Sequence, residues 1–178
     1  MKSPIVPDLK AIATGAGVDS PAQVRLTWVE EAQGRPALRI EPTKTEFSIA
    51  DEWVVILNDV AFSDGVIEFD ALGQSEPPQS NFLGVAFRLV DHVTHEALYF
   101  RPFNFRAEDP DRKAHAVQYV SHPDNRWWDL RERTPGRYEQ PIEPAPDGDA
   151  WFHARIVVEW PSVRAYVNGA VEPSLVVE

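Results

Sequence analysis

"WFHARIVVEW" at 151–160, "VRAYVNG" at 163–169 and "PSLVV" at 173–177 decide the fold class. β-Branched and aromatic residues dominate these runs, and Trp-Pro-Ser separates the first two, so the stretch reads as a hairpin followed by a further strand. The same signal recurs upstream. QVRLTWV (23–29), RPALRIE (35–41), EWVVILN (52–58), DGVIEFDAL (64–72), NFLGVAFRLV (81–90), EALYFRPF (96–103) and HAVQYVS (115–121) have strand composition. Turn chemistry lies between them in SDG, SEPPQS, DHVTH, EDPD, SHPDN and APDGD. About ten short strands without amphipathic helices between them predict an all-β antiparallel sandwich or barrel, as one domain over residues 1–178. Only EDPDRKA (108–114) and WWDLRER (127–133) predict helical turns. Residues 134–150 read as a long Pro- and Gly-rich loop, a class often tied to function.

Composition narrows the function classes. The chain has 178 residues, 43% of them hydrophobic, with 16 prolines, nine glycines and one methionine. That balance suits short strands and turns better than long helices. A net charge of −11 disfavours nucleic acid and anionic membranes as partners, since both need clustered Lys and Arg. Neutral ligands such as saccharides fit better. With no cysteine, a disulfide framework, a thiolate metal site and a thiol nucleophile are excluded. The N-terminus lacks an apolar signal region and no run has transmembrane length, which predicts a cytoplasmic protein.

Glu68 and Asp70 are the first candidates for chemistry. They leave the same face of the 64–72 strand with Val66, while Ile67, Phe69 and Ala71 face the other way. Their Cα atoms are expected about 6.6 Å apart, compatible with the carboxylate pair of a retaining glycosidase. The same face could equally be the polar side of a half-buried strand. Arg88, on a face with Gly84 and Ala86, and Tyr99 and Arg101 of the next strand complete an expected row of polar groups. That row reads either as a ligand-binding floor or as a salt-bridge network holding the sheet. Strand alternation puts His115, Val117 and Tyr119 on one face and Gln118 on the other. His115 is the histidine candidate for acid/base work, because imidazole titrates near neutrality. Asn104, Gln118 and Tyr119 add hydrogen-bonding groups. Trp127 and Trp128 offer rings that stack on a sugar or plug a loop. The His92–His95 segment reads as a solvated turn rather than a metal site, and neither a metal nor a cofactor is expected.

Taken together, FSDGVIEFDALG (62–73), FLGVAFR (82–88), YFRPFNF (99–105), AVQYVS (116–121) and the 151–177 strands resemble concanavalin A-like jelly-roll domains. Within that superfamily they are most similar to the 3-keto-disaccharide hydrolase-type group of glycosyl hydrolases. The resemblance spans about Phe62 to Val177, and the first 60 residues share only general character. It implies a two-sheet jelly roll binding a saccharide on its concave sheet, either as a glycoside hydrolase or as a lectin-like module. Laminarinase-type relatives carry Glu-x-Asp-x-(x)-Glu on one strand. Here Glu68-Phe69-Asp70-Ala71-Leu72-Gly73 has no second Glu, so that mechanism does not transfer. Members of the group usually continue into one more strand after the PSLVV-like run, and its lack predicts an open edge suited to self-association.

Overall fold

Strands dominate the computed structural model, which describes residues 3–43, 53–76 and 81–178. The chain divides into two units, Met1–Ala61 and Phe62–Glu178. In the first, α1 (Leu9–Ile12) starts where the Asp8 side chain accepts hydrogen bonds from Lys10 N and Ala11 N, both at 3.0 Å. β1 (Val18–Asp19) pairs with β4 (Ile56–Leu57), a much shorter strand than EWVVILN predicts; Glu52 of that run lies outside the described residues. β2 (Val24–Ala32) and β3 (Arg35–Pro42) form an antiparallel hairpin. Gln33 and Gly34 at its tip have φ of 51° and 89°, the two left-handed residues that a tight hairpin turn requires.

The second unit carries the strands of the family resemblance. β5 (Gly65–Leu72), β10 (Trp151–Glu159), β11 (Ser162–Val167) and β12 (Leu175–Val177) form one antiparallel sheet in the order β12-β11-β10-β5. β6 (Leu83–Phe87), β7 (His95–Phe100), β8 (Val117–His122) and β9 (Glu139–Gln140) form a second, in the order β6-β7-β8-β9. Between β7 and β8 lie α2 (Pro102–Phe105) and α3 (Pro110–Lys113), and α4 (Trp127–Arg133) follows β8. Both helical turns expected from sequence form. The 134–150 stretch is more ordered than a loop, because Glu139 and Gln140 pair with β8 and Ile142 is buried. Of the SEPPQS turn, residues 77–80 lie outside the described residues.

Period-two burial explains why these runs are strands. In β10, Phe152, Ala154, Ile156 and Val158 are buried while the residues between them are half-exposed. They join Leu98, Phe100 and Val117 of the other sheet in one apolar cluster, so the inward faces of the two four-stranded sheets share a core. Phe152 is central, with its ring 5.2 Å from both Phe100 and Phe105 in edge-on contact.

The two sheets separate residues that the sequence reading placed side by side. Glu68 and Asp70 leave the exposed face of β5, in the first sheet, whereas Tyr99 belongs to β7 in the second. Arg88 stands just beyond β6 with φ of 47°, so strand alternation no longer fixes its side. The expected row from Glu68 through Arg88 to Arg101 therefore does not form.

Candidate functional site

Cross-strand register builds the site. Gly84 faces Tyr99, Tyr99 faces Gln118 and Gln118 faces Glu139, giving one row across β6, β7, β8 and β9. Tyr99 alternates with the core residues Leu98 and Phe100, so the row lies on the face away from the core. Gly84 has no side chain for a reason: a Cβ there would sit 2.6 Å from the Tyr99 Cβ and 2.2 Å from the Leu98 carbonyl oxygen. Chain continuation then brings Arg101 in from the end of β7 and His115 from the turn before β8.

Arg101 is 6% exposed and holds the row together. Its Nη1 donates to the His115 carbonyl (2.9 Å), and its Nη2 to Tyr99 Oη (3.2 Å) and Gln118 Oε1 (3.3 Å). Gln118 in turn donates through Nε2 to the Tyr119 and Tyr138 carbonyls at 2.9 and 3.0 Å, so its amide is fully engaged. Asn104 Nδ2 reaches the His115 carbonyl at 3.3 Å, and Arg112 Nε donates to Asn104 Oδ1.

Glu139 is the carboxylate of the cluster and is 4% exposed. Arg131 donates to both of its oxygens, Nε to Oε1 at 2.7 Å and Nη2 to Oε2 at 2.6 Å, a bidentate pair. His115 Nε2 lies 3.2 Å from Oε1, and Arg101 Nη1 4.0 Å from Oε2. Burial lowers the His115 pKa, the Glu139 carboxylate raises it, and Arg131 and Arg101 lower it again, with a net shift downward. Tyr99 is pushed up, chiefly by burial. Arg101 is pushed down by burial against the opposing pull of Tyr99 and Glu139, and a guanidinium stays charged regardless.

Aromatic rings stand at the rim. Trp127 and Arg131 lie four residues apart on α4, hence on one helix face, and the guanidinium sits 4.7 Å from the indole centroid. Leu130 is buried and α4 lies against β8. Trp127 is 39% exposed, whereas Trp128 is half-buried beneath the Arg126 guanidinium, so the tandem splits into one outward and one packed ring. Across the site, Phe82 is half-exposed and meets Tyr99 and Phe103 edge-on at 5.8 and 5.6 Å.

Of the residues expected from sequence, Tyr99, Arg101, Asn104, His115 and Gln118 converge here, with Trp127 and Trp128 beside them. Four do not. Tyr119 lies on the core face of β8, where its hydroxyl donates to Glu96 at 2.9 Å; burial raises its pKa strongly. Arg88 joins that network instead, bonding both Glu96 oxygens at 3.1 Å, Asp64 at 3.1 Å and the Ser63 carbonyl at 3.0 Å. Glu68 and Asp70 face His153 and Arg155 of β10 on the exposed side of the other sheet. His153 Nδ1 is 2.9 Å from Asp70, and its Nε2 and Arg155 Nε are each 3.7 Å from Glu68. His115 departs from the expected face because it precedes β8 in a turn, where alternation does not apply. His95 is likewise no part of a solvated turn: it begins β7, is buried, and stacks on His122 at 5.1 Å.

Nothing in the sequence pattern marks Glu139 or Arg131 as members of this cluster. Glu139 lies inside a stretch read as a loop, and only its pairing with Gln118 reveals which face it serves. Among the described residues, no group of three or more His, Asp or Glu is placed to hold a metal ion, and no helix is long and apolar enough to cross a membrane. A hollow lined by Ser75, Pro102, Arg106, Asp147 and Asp149 has its charges satisfied internally, by Arg106–Asp147 at 2.9 Å and by Ser75 bonding Asp149. Comparison of the chain with protein-family models, curated proteins and solved structures returned no match.

Proposed function

We propose that this protein is a carbohydrate-active jelly roll that binds a saccharide on the outward face of the β6-β7-β8-β9 sheet. The observation that carries the reading is the registered row Tyr99–Gln118–Glu139, closed by Arg101, His115 and Arg131 and flanked by the exposed rings of Trp127 and Phe82. Sugars are recognised by that combination: fixed donors and acceptors for hydroxyl groups and a flat ring for the C–H face. Most of that row is buried and internally bonded, so it holds the partly exposed Arg131 and His115 in place at little further entropic cost on binding. The sequence resemblance to carbohydrate-processing jelly rolls points the same way.

Lectin-like binding is favoured over glycoside hydrolysis by one feature. Glycoside hydrolysis generally uses two carboxyl groups, about 5–5.5 Å apart for retention or 6.5–9.5 Å for inversion. Here Glu139 is the one carboxylate bonded within the cluster among the described residues, and Arg131 already holds both its oxygens. If the face is catalytic, His115 is the acid/base and Glu139 its orienting partner. A glycan array followed by calorimetry tests the reading. Wild type is expected to bind, Trp127→Ala to lose binding, and Glu68→Gln and Asp70→Asn to retain it. Turnover that disappears in His115→Gln with binding intact would establish the hydrolase. Absence of binding to any glycan, or loss of binding through Glu68 or Asp70, overturns the assignment.

A further inference from the structure

The charges on this face do not balance. Two guanidinium groups, Arg101 and Arg131, meet a single bonded carboxylate, Glu139. Arg101 directs its hydrogen bonds to neutral acceptors only: a carbonyl, a phenol and an amide oxygen. His115 contributes no negative charge, and burial pushes its pKa down. Beyond this set, the exposed Asp111 carboxylate acts on His115, and the Arg112 guanidinium, bonded to Asn104 and the Phe103 carbonyl, offsets it. Lys113 and Glu143 cancel each other at 2.6 Å. One positive charge is therefore left over in a largely desolvated cluster, within a protein of net charge −11. Uncompensated buried charge is costly, and a ligand of opposite sign relieves that cost.

The excess has an outlet. Arg131 uses Nε and Nη2 on Glu139, while its Nη1 has no hydrogen-bond partner among the described residues. Its side chain is 33% exposed and lies beside the open Trp127 ring. Further along, Arg126 and Arg133 on or next to α4 have no salt bridge to a carboxylate among the described residues. Asp129 and Glu132 fall out of phase with the Trp127–Arg131 stripe, and neither forms a salt bridge with Arg131 among the described residues. A cationic donor next to an exposed ring matches a sugar that bears an acidic group.

We propose that the saccharide bound at this face is anionic, its carboxylate or sulfate group pairing with Arg131 while its ring lies against Trp127. This rests on the saccharide reading above. Bulk electrostatics cannot supply the preference, since a chain this acidic repels anions at long range. The test is calorimetry on the wild-type protein with two matched pairs of probes. One is tetragalacturonate against its methyl ester; the other is a heparin-derived tetrasaccharide against its desulfated form. The charged member of at least one pair should bind about tenfold or more tightly than its neutral match, and high salt should shrink the gap. Whichever pair responds tells carboxylate from sulfate. Arg131→Gln should erase the preference while leaving residual neutral binding, and Arg164→Gln on the other sheet should leave it unchanged. Equal binding of charged and neutral members, or binding of neutral glycans alone, overturns the anionic inference and leaves the saccharide reading standing. Failure of every charged and neutral glycan overturns both. A preference that survives in Arg131→Gln also overturns the assignment.

Discussion

Two faces of the second unit carry nearly the same set of side chains in opposite settings. On the β5–β10 face, Glu68 and Asp70 meet His153 and Arg155, with side chains 54% and 42% exposed for the two acids. On the β6–β9 face, Glu139 meets His115, Arg101 and Arg131 and is almost fully buried. The difference lies in what stands over each strand. α4 carries Arg131 and the turn after α3 carries His115 to the second face, while the first stays open to solvent. Exposed ion pairs are screened and contribute little, whereas a buried carboxylate is tied to the partners that offset its desolvation. The same residue types thus make a solvated surface on one sheet and a buried cluster on the other.

The sharpest break of that comparison is removal of the acids. Glu139→Ala should cost about 3–5 kcal/mol, because it leaves Arg101 buried without its carboxylate. Glu68→Gln should cost no more than about 1 kcal/mol. Urea denaturation of both variants checks this, and equal shifts in midpoint would erase the distinction drawn between the faces. Next in size is Gly84→Ala. The added methyl has nowhere to go against Tyr99 and the Leu98 carbonyl, so about 1–3 kcal/mol should be lost. Val66→Ala on the open face should stay within about 0.5 kcal/mol, read in the same titration.

Acid should act on the second sheet through its buried imidazoles. His95 is pushed down by burial and then by His122; His122 is pushed down by burial and Arg126; His115 is lowered as well. Each unfolds to a pKa of about 6.5 and so binds more protons unfolded than folded below that value. Stability should accordingly fall as pH drops from 7 toward 5, and rise with pH through the same window. His95→Gln and His115→Gln should each flatten that slope, whatever they do to stability at pH 7. A slope unchanged in both variants would remove these imidazoles from the account. The smallest expected effect is that of salt. High ionic strength should weaken the Glu68–Arg155 and Asp70–His153 contacts while barely changing the Glu139 cluster. Double-mutant cycles on the two pairs at low and high salt would show whether screening divides the faces as their burial implies.

Much of the secondary structure was legible in the sequence because strand burial has a period of two. Phe152, Ala154, Ile156 and Val158 announce their shared face without any knowledge of their partners. The helical turn at 127–133 was legible too. Less visible were places where regular geometry lapses. Alternation assigned His115 to the wrong side because the strand starts two residues later, and it misplaced Arg88 because the chain turns left-handed there. For the candidate site, Tyr99, Arg101, Asn104 and Gln118 stand out in the sequence as hydrogen-bonding candidates one by one, but their convergence comes from the fold. Their carboxylate was not legible, since Glu139 lies 38 residues from Arg101 in a segment with loop composition.

Local sequence by itself determined an all-β chain, the inward face of each long strand, and the polar character of the outward ones, since those follow from side-chain alternation within a single strand. Tertiary structure alone decided which outward acids meet which cations, and how deeply. Sheet membership parts Glu68 from Arg101, and antiparallel register joins Gln118 to Glu139. The physical reason is that alternation is a property of one strand, whereas pairing and desolvation are properties of the strands and helices that surround it.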